Sequence, residues 1–328
     1  MNGVDVKQLV SRRNFLQGIG ALAAASFVPA NAITFAAPPF DLPASAPFNK
    51  AAVTANVRFA YAAITWKGHD AQAIQDISEV GYRGIQLRFN AVQDYGARPQ
   101  ALRDLLNQHH LEMVALSSGN VSGATTARAD EIARHARNAE FVRDVGGHYL
   151  QLVDSAMPKG RKPVAQDYQQ LGQVMTEIGK RAADLGIGVG YHNHMGGLGE
   201  APDDVERILN EADPRYVKLL LDIAHYAQGG GDPAHAIRQY RDRLLFLHIK
   251  DVETVAPKTA GDAAQAYRFV ELGRGRVNLP GVFAAIKEIG FSGWAVVELD
   301  DVPDPSRTPK ASAIISKRYL EEKLKMKV

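Results

Sequence analysis

Short apolar runs alternate along this chain with longer stretches in which apolar residues recur every three or four positions. The short runs suit strands and the longer stretches suit amphipathic helices. The first strand is predicted at 57–64, and Asp70 is placed to cap a helix with Ile74, Ile77 and Val80 on one face. Further strands are predicted at 85–89, 111–116 and 148–153, with helices at 99–109, 127–145 and 167–185 between and after them. Strands at 187–192, 217–222, 244–249 and 294–299 continue the series. Pro202 falls in the first turn of the next helix, and Asp232-Pro233, 279–289 and 311–326 mark the later helices. Residues 252–277 read as a long polar insertion.

Strand–helix alternation points to a parallel sheet, and eight such units fit a (β/α)₈ TIM barrel formed as a single domain over 53–328. The competing architecture is a doubly wound open sheet. No G-x-G-x-x-G follows the first strand, so that fold loses its main sequence support.

The stretch 187–197, I-G-V-G-Y-H-N-H-M-G-G, organises the rest. Ile187, Val189 and Tyr191 alternate with Gly188, Gly190 and His192, giving a strand with small residues on one face. It ends in His192 and His194. Three later runs, 219–225 (L-L-L-D-I-A-H), 246–251 (F-L-H-I-K-D) and 296–300 (V-V-E-L-D), also end in polar groups suited to a metal or a proton. Barrel enzymes place their chemistry at the C-terminal ends of strands. His192, Asp222, His248 and Glu298 fall at or near such ends and are expected to converge on one divalent ion. Two carboxylates and two imidazoles suit Mn, Co, Zn or Fe better than Ca or Mg.

Composition changes the picture at the N-terminus. Arg12-Arg13 precedes Phe15-Leu16, an apolar run from Ile19 to Val28 and a small–x–small sequence at Ala30–Ala32. This resembles a twin-arginine signal peptide over 1–32, cleaved to give a periplasmic protein. The run is too short for a permanent membrane anchor. A Pro- and Ala-rich linker follows at 33–52. Lys and Arg number 38 and Asp and Glu 36, and removal of Lys7, Arg12, Arg13 and Asp5 leaves the two signs equal. A neutral mature chain argues against nucleic acid as a partner. The expected partner is a small sugar or cyclitol substrate, with a homo-oligomer as a further expectation. The chain has no cysteine, so thiolate ligands and a cysteine nucleophile are excluded.

The segments Y-H-N-H-M-G-G, D-P-R-Y-V-K-L-L-L-D-I-A-H and H-I-K-D-V, with G-Y-R-G-I-Q-L and L-G-R-G-R-V, resemble those of inosose dehydratases. More broadly they are similar to the xylose isomerase-like barrel superfamily of sugar phosphate isomerases and ketose 3-epimerases. The resemblance implies a divalent metal at His192, Asp222, His248 and Glu298. It also implies removal of a proton beside a keto group. One departure bears on the reaction. His192 stands where isomerases and epimerases of the superfamily carry Glu, which removes one of the two metal-bound carboxylates used for symmetric proton exchange. One-sided proton removal followed by loss of a β-hydroxyl, a dehydratase reaction, is therefore favoured over epimerisation. Glu298 or His194 is the expected base. His225 or Lys250 is expected to protonate the departing hydroxyl or steady the oxyanion, and Glu271 to orient a substrate hydroxyl. Trp66 and His69 are candidates for a sugar platform, with core packing the stronger alternative for Trp66, and Lys250-Asp251 has an ion pair as its plain alternative. The rival readings are a ketose isomerase or 3-epimerase, an apurinic-site-type endonuclease and a non-catalytic sugar binder.

Overall fold

The computed structural model describes residues 56–123, 128–256 and 266–328. The expected signal peptide and linker lie outside the described residues. The strands run β1 (Asn56–Ala62), β2 (Gly84–Arg88), β3 (Glu112–Asn120), β4 (Tyr149–Val153), β5 (Gly188–His192), β6 (Val217–Asp222) and β7 (Leu244–Ile249). They continue with β8 (Asp251–Thr254), β9 (Tyr267–Val270) and β10 (Ser292–Val297). All but β8 and β9 close a parallel barrel in the order β1-β10-β7-β6-β5-β4-β3-β2. The helices are α1 (Asp70–Val80), α2 (Asn90–Tyr95), α3 (Pro99–Gln108), α4 (Arg128–Val145) and α5 (Ala165–Ala183), then α6 (Pro202–Glu211), α7 (Ile223–Gln228), α8 (Pro233–Gln239), α9 (Leu279–Glu288) and α10 (Pro309–Glu322). The chain is a (β/α)₈ TIM barrel, as its apolar pattern predicts.

The central stretches of the barrel strands are mostly apolar because both faces are covered there. Val217, Leu219 and Leu221 of β6 pack outward in the layer beneath the helices. Leu220 turns inward with Ala60, Phe246, Trp294 and Val296. Two glycines make room for the large rings inside. A Cβ on Gly84 would lie 2.7 Å from the Trp294 indole and 2.6 Å from Val114. A Cβ on Gly190 would lie 3.1 Å from Leu220 and 3.3 Å from Phe246. The small face of β5 is thus the interior face. By strand alternation His192 shares that side, two residues nearer the C-terminal end.

Three local features differ from the sequence reading. The run 219–225 does not stay extended. Asp222 accepts hydrogen bonds from the backbone N–H groups of Ala224 and His225, and so caps α7 and ends β6. The polar insertion carries the antiparallel hairpin β8–β9; residues 257–265 between these strands lie outside the described residues. Asp251 is not paired with Lys250. Its carboxylate accepts from the backbone N–H groups of Val252, Gly273, Gly275 and Val277, and so folds the L-G-R-G-R-V segment against the hairpin.

Candidate metal centre at the barrel mouth

Strand register brings the four expected ligands together. Asp222 and His248 are direct neighbours across β6 and β7, and Glu298 follows β10 beside them. One ligand atom from each of His192, Asp222, His248 and Glu298 lies within 4.8 Å of every other. All four are buried. His192 Nε2 is 3.1 Å from His248 Nδ1 and 3.6 Å from Asp222 Oδ2. His248 Nδ1 is 3.6 Å from Asp222 Oδ2 and 3.4 Å from Glu298 Oε2.

The donor set fits a divalent cation. Asp222 Oδ1 is used by the cap of α7, whereas Oδ2 is buried and has no hydrogen-bond partner among the described residues. Such an atom is costly to bury unless a cation meets it. Burial alone presses both imidazoles toward the neutral form. At His192 burial prevails, helped by the neighbouring His248, and the group is held down to about 4. At His248 burial is outweighed by Glu298 and Asp222, which push it up to about 9. The carboxylates therefore attract positive charge to the point where an ion would sit.

Residues that the sequence reading passed over hold this set in place. His248 Nε2–H donates to Gln86 Oε1 at 3.0 Å, and Gln86 Nε2 donates to Gln151 Oε1 at 2.7 Å. This fixes the ring so that Nδ1 faces the cluster. Asn193 ties the ends of β5 and β6 together, accepting from the Asp222 N–H at 2.9 Å and donating to its carbonyl at 3.2 Å. A single glutamine inside the strand I-Q-L-R and an asparagine between two histidines carry no spacing signal. Only the barrel register shows what they face.

Lys250 is fully buried beside the ligands. Its Nζ donates to Asp300 Oδ1 at 2.6 Å and to Glu298 Oε1 at 3.0 Å, and lies 3.9 Å from the Phe269 ring centroid. Burial works against its charge, but Asp300, Glu298 and Asp222 outweigh it and hold Lys250 above its ordinary value as an ammonium. Burial likewise opposes charge on Glu298, and His248 and Lys250 overcome it, holding Glu298 well below the usual carboxylate range. His225 is also buried. Its Nδ1 accepts from the Met195 N–H at 3.1 Å, and its Nε2 lies 3.4 Å from Lys250 Nζ. Burial holds it well below its usual value, so it is neutral. His194 is half-buried; its Nδ1–H donates to the Met195 carbonyl at 2.6 Å, so Nε2 is the ring nitrogen left for the recess that His194 lines.

A recess of about 220 Å³ opens above the ligands. Its wall includes Gln86, Arg88, Phe89, Asn120, Gln151, His192, His194, Glu298 and Asp300. The expected site residues Glu298 and His194 therefore share one cavity, with Lys250 and His225 directly behind it. Glu271 does not join them. It is buried against Arg307 at 2.6 Å and Ser312 at 3.0 Å, and borders a separate depression with Arg268 and Arg274. Its role in orienting substrate is replaced by one in holding the segment after β9 to α10. Trp66 is core: its Nε1–H donates to Asp76 at 2.8 Å and its ring meets Tyr61 edge-on. His69 is exposed and outside the recess wall, where Phe89 supplies the exposed aromatic face.

Comparison with known proteins agrees with this geometry. The family model described as xylose isomerase-like TIM barrel matches residues 74–322. The chain belongs to the xylose isomerase-like TIM barrel family. Within that family it is 30% identical over 271 residues to the inosose dehydratase of Geobacillus thermodenitrificans, covering 76% of this chain and 88% of the relative. It is 26% identical over 278 residues to the rhizopine catabolism protein MocC of Rhizobium meliloti, covering 76% and 83% of the two chains. Among solved structures, the IolI protein with a bound zinc atom superposes with a TM-score of 0.66 at 20% identity, covering 81% of this chain and 97% of that one.

Proposed function

We propose that this chain is a metal-dependent sugar lyase that dehydrates an inosose or related ketosugar. The coarser reading, an enzyme of this family acting on a small sugar or cyclitol, is supported by its dehydratase relatives. The finer one rests on a single observation: His192 occupies the fifth-strand ligand position, and His194, with Nε2 left for the recess, shares the cavity wall with it and with Glu298.

A divalent ion held by His192, Asp222, His248 and Glu298 supplies Lewis acidity, which lowers the cost of building negative charge on a keto oxygen. The protein's own groups divide the remaining work. Gln86, Gln151 and Asn120 line the recess as hydrogen-bonding groups for ring hydroxyls. Glu298 is a weak base, held charged by Lys250 and His248, so His194 Nε2 is the better proton acceptor. It removes the proton on the carbon next to the keto group. A carbon–carbon double bond forms as the β carbon–oxygen bond breaks, and the proton carried by His194 leaves with the hydroxyl as water. Lys250, buried behind the recess wall, keeps its proton and holds Glu298 and Asp300 in place as a fixed ammonium. His225, which does not line the recess, positions Met195 and the segment bearing His194. The rival isomerase or 3-epimerase reading needs a second base on the opposite face of the substrate, and the position that would supply it carries His192 in place of a carboxylate.

Incubation with scyllo-inosose in D₂O, followed by NMR, tests the proposal. Loss of water with no deuterium in recovered substrate is expected. Deuterium exchange or a new epimer without dehydration would assign the site to the epimerase reaction. We further propose export by the twin-arginine route, on the strength of Arg12-Arg13 and the apolar run behind them. Replacing both arginines with lysine is expected to retain the protein in the cytoplasm, and unchanged fractionation would contradict it.

A further inference from the structure

A second recess of about 640 Å³ adjoins the first at the barrel mouth and is assigned no role by the reaction above. Asp300 lines both. So do consecutive residues of the segment after β5, His194 on the inner recess and Met195 on the outer. The inner recess falls below the ~300–1,000 Å³ usual for small-molecule sites, and the outer lies well inside that range. The outer wall comes from the β8–β9 hairpin, an addition to the barrel, whose Tyr267 and Phe269 meet edge-on with centroids 5.5 Å apart. Phe269 also touches the catalytic interior: its ring lies against Lys250 and, at 4.8 Å, against His225.

The polar lining selects the ligand. Glu200, Asp300 and Asp301 contribute carboxylates, while the one guanidinium in the wall, Arg268, is paired with Glu253. Among the described residues, a phosphate or carboxylate would find no unpaired cation in this wall, because Lys250 is paired with Asp300 and Lys67 with Asp301, as Arg268 is with Glu253. A neutral ring with hydroxyls on its edge and C–H groups on its face meets acceptors on one side and aromatic surface on the other.

We propose that the outer recess is a subsite for a second sugar ring, and that the substrate is a glycoside whose oxidised ring occupies the inner recess. This rests on the ketosugar reading of the inner recess. Asp300, shared by both compartments and bonded to Lys250, marks the junction past which the two rings are joined.

Calorimetric titration of the metal-loaded full chain with glucose, cellobiose and phenyl β-glucoside tests it, since none carries a keto group and none turns over. Cellobiose is expected to bind at least tenfold more tightly than glucose, and Tyr267→Ala to cut that ratio at least fivefold. Equal affinity for glucose and cellobiose would remove the outer subsite and leave the inner-recess reading standing. A larger gain for phenyl β-glucoside than for cellobiose would assign the recess to an apolar group and overturn the sugar-ring proposal. Binding of none of the three would overturn the sugar reading of both recesses.

Discussion

His248 is aimed by Gln86, and that pair is where the site is most exposed to a single substitution. Gln86→Leu leaves the His248 Nε2–H without its acceptor and frees the ring to turn. We expect metal affinity, measured by competition with a chromophoric chelator, to fall roughly 10–100-fold. Gln86→Glu, which keeps an acceptor, should lose much less; equal losses would show that the hydrogen bond does not set the ring. Asp154 offers a second test away from the ligands. It is buried, accepts from the Tyr191 hydroxyl at 3.4 Å and from the Gly199 N–H, and its Oδ1 has no partner among the described residues. Burial pushes its carboxyl from 3.8 up to about 7. Between these values the folded state binds more protons than the unfolded one, so this group's contribution to stability falls as pH rises from about 4 to 7. Asp154→Asn removes the charge and keeps the acceptor. Its Tm is expected to exceed that of the wild type by roughly 2–4 °C at pH 8, with the gap shrinking toward pH 5; the same gap at both pH values would contradict the account. The convergence of His192, Asp222, His248 and Glu298 was legible in the sequence because each lies at or near the end of an apolar run. Gln86, Asn193 and Asp300 were not, because their roles depend on which strands lie side by side.

At the scale of elements, the barrel interior is set by where glycine meets the large rings. Gly84→Ala would drive a methyl into Trp294 and Val114, and overpacking of this kind costs about 1–3 kcal/mol. Urea denaturation should show the midpoint falling with little change in slope, and an unchanged midpoint would mean that the interior yields more easily than the contacts imply. The β8–β9 hairpin depends on Asp251 in a similar way. Asp251→Ala withdraws an acceptor from four backbone N–H groups. A buried unpaired donor costs about 1–3 kcal/mol, so a loss of several kcal/mol is expected before water relieves it. Hydrogen exchange should accelerate at residues 273–277 ahead of the barrel strands; uniform acceleration would place the effect elsewhere. The sequence located strands and helices well because the 2.0 and 3.6 periods are strong over whole elements. It missed α7, a short helix that Asp222 caps directly after the strand read over 217–222. It also missed the hairpin, whose D-V-E-T and Y-R-F-V runs are too short and polar to stand out of a loop. Glu271 shows the limit from the other side, since nothing in the sequence tells a carboxylate facing substrate from one clasped by Arg307 and Ser312.

Over the whole molecule, closure of the barrel is what turns four dispersed strand ends into one centre. His192 and Glu298 are far apart in the chain, yet two intervening strands place them around Asp222 and His248. In the proposed reading an ion meets the buried, unpartnered Asp222 Oδ2, so chelation is expected to lower the thermal midpoint as well as the activity, and addition of the metal to restore both. The measurement that bears most directly on this is metal analysis by mass spectrometry of the purified chain and of Asp222→Ala, with far-UV circular dichroism and turnover of scyllo-inosose recorded on the same samples. About one divalent ion per chain is expected in the wild type, with little or none in a variant that stays folded and inactive. Full turnover by metal-free protein, or undiminished metal in Asp222→Ala, would contradict the account.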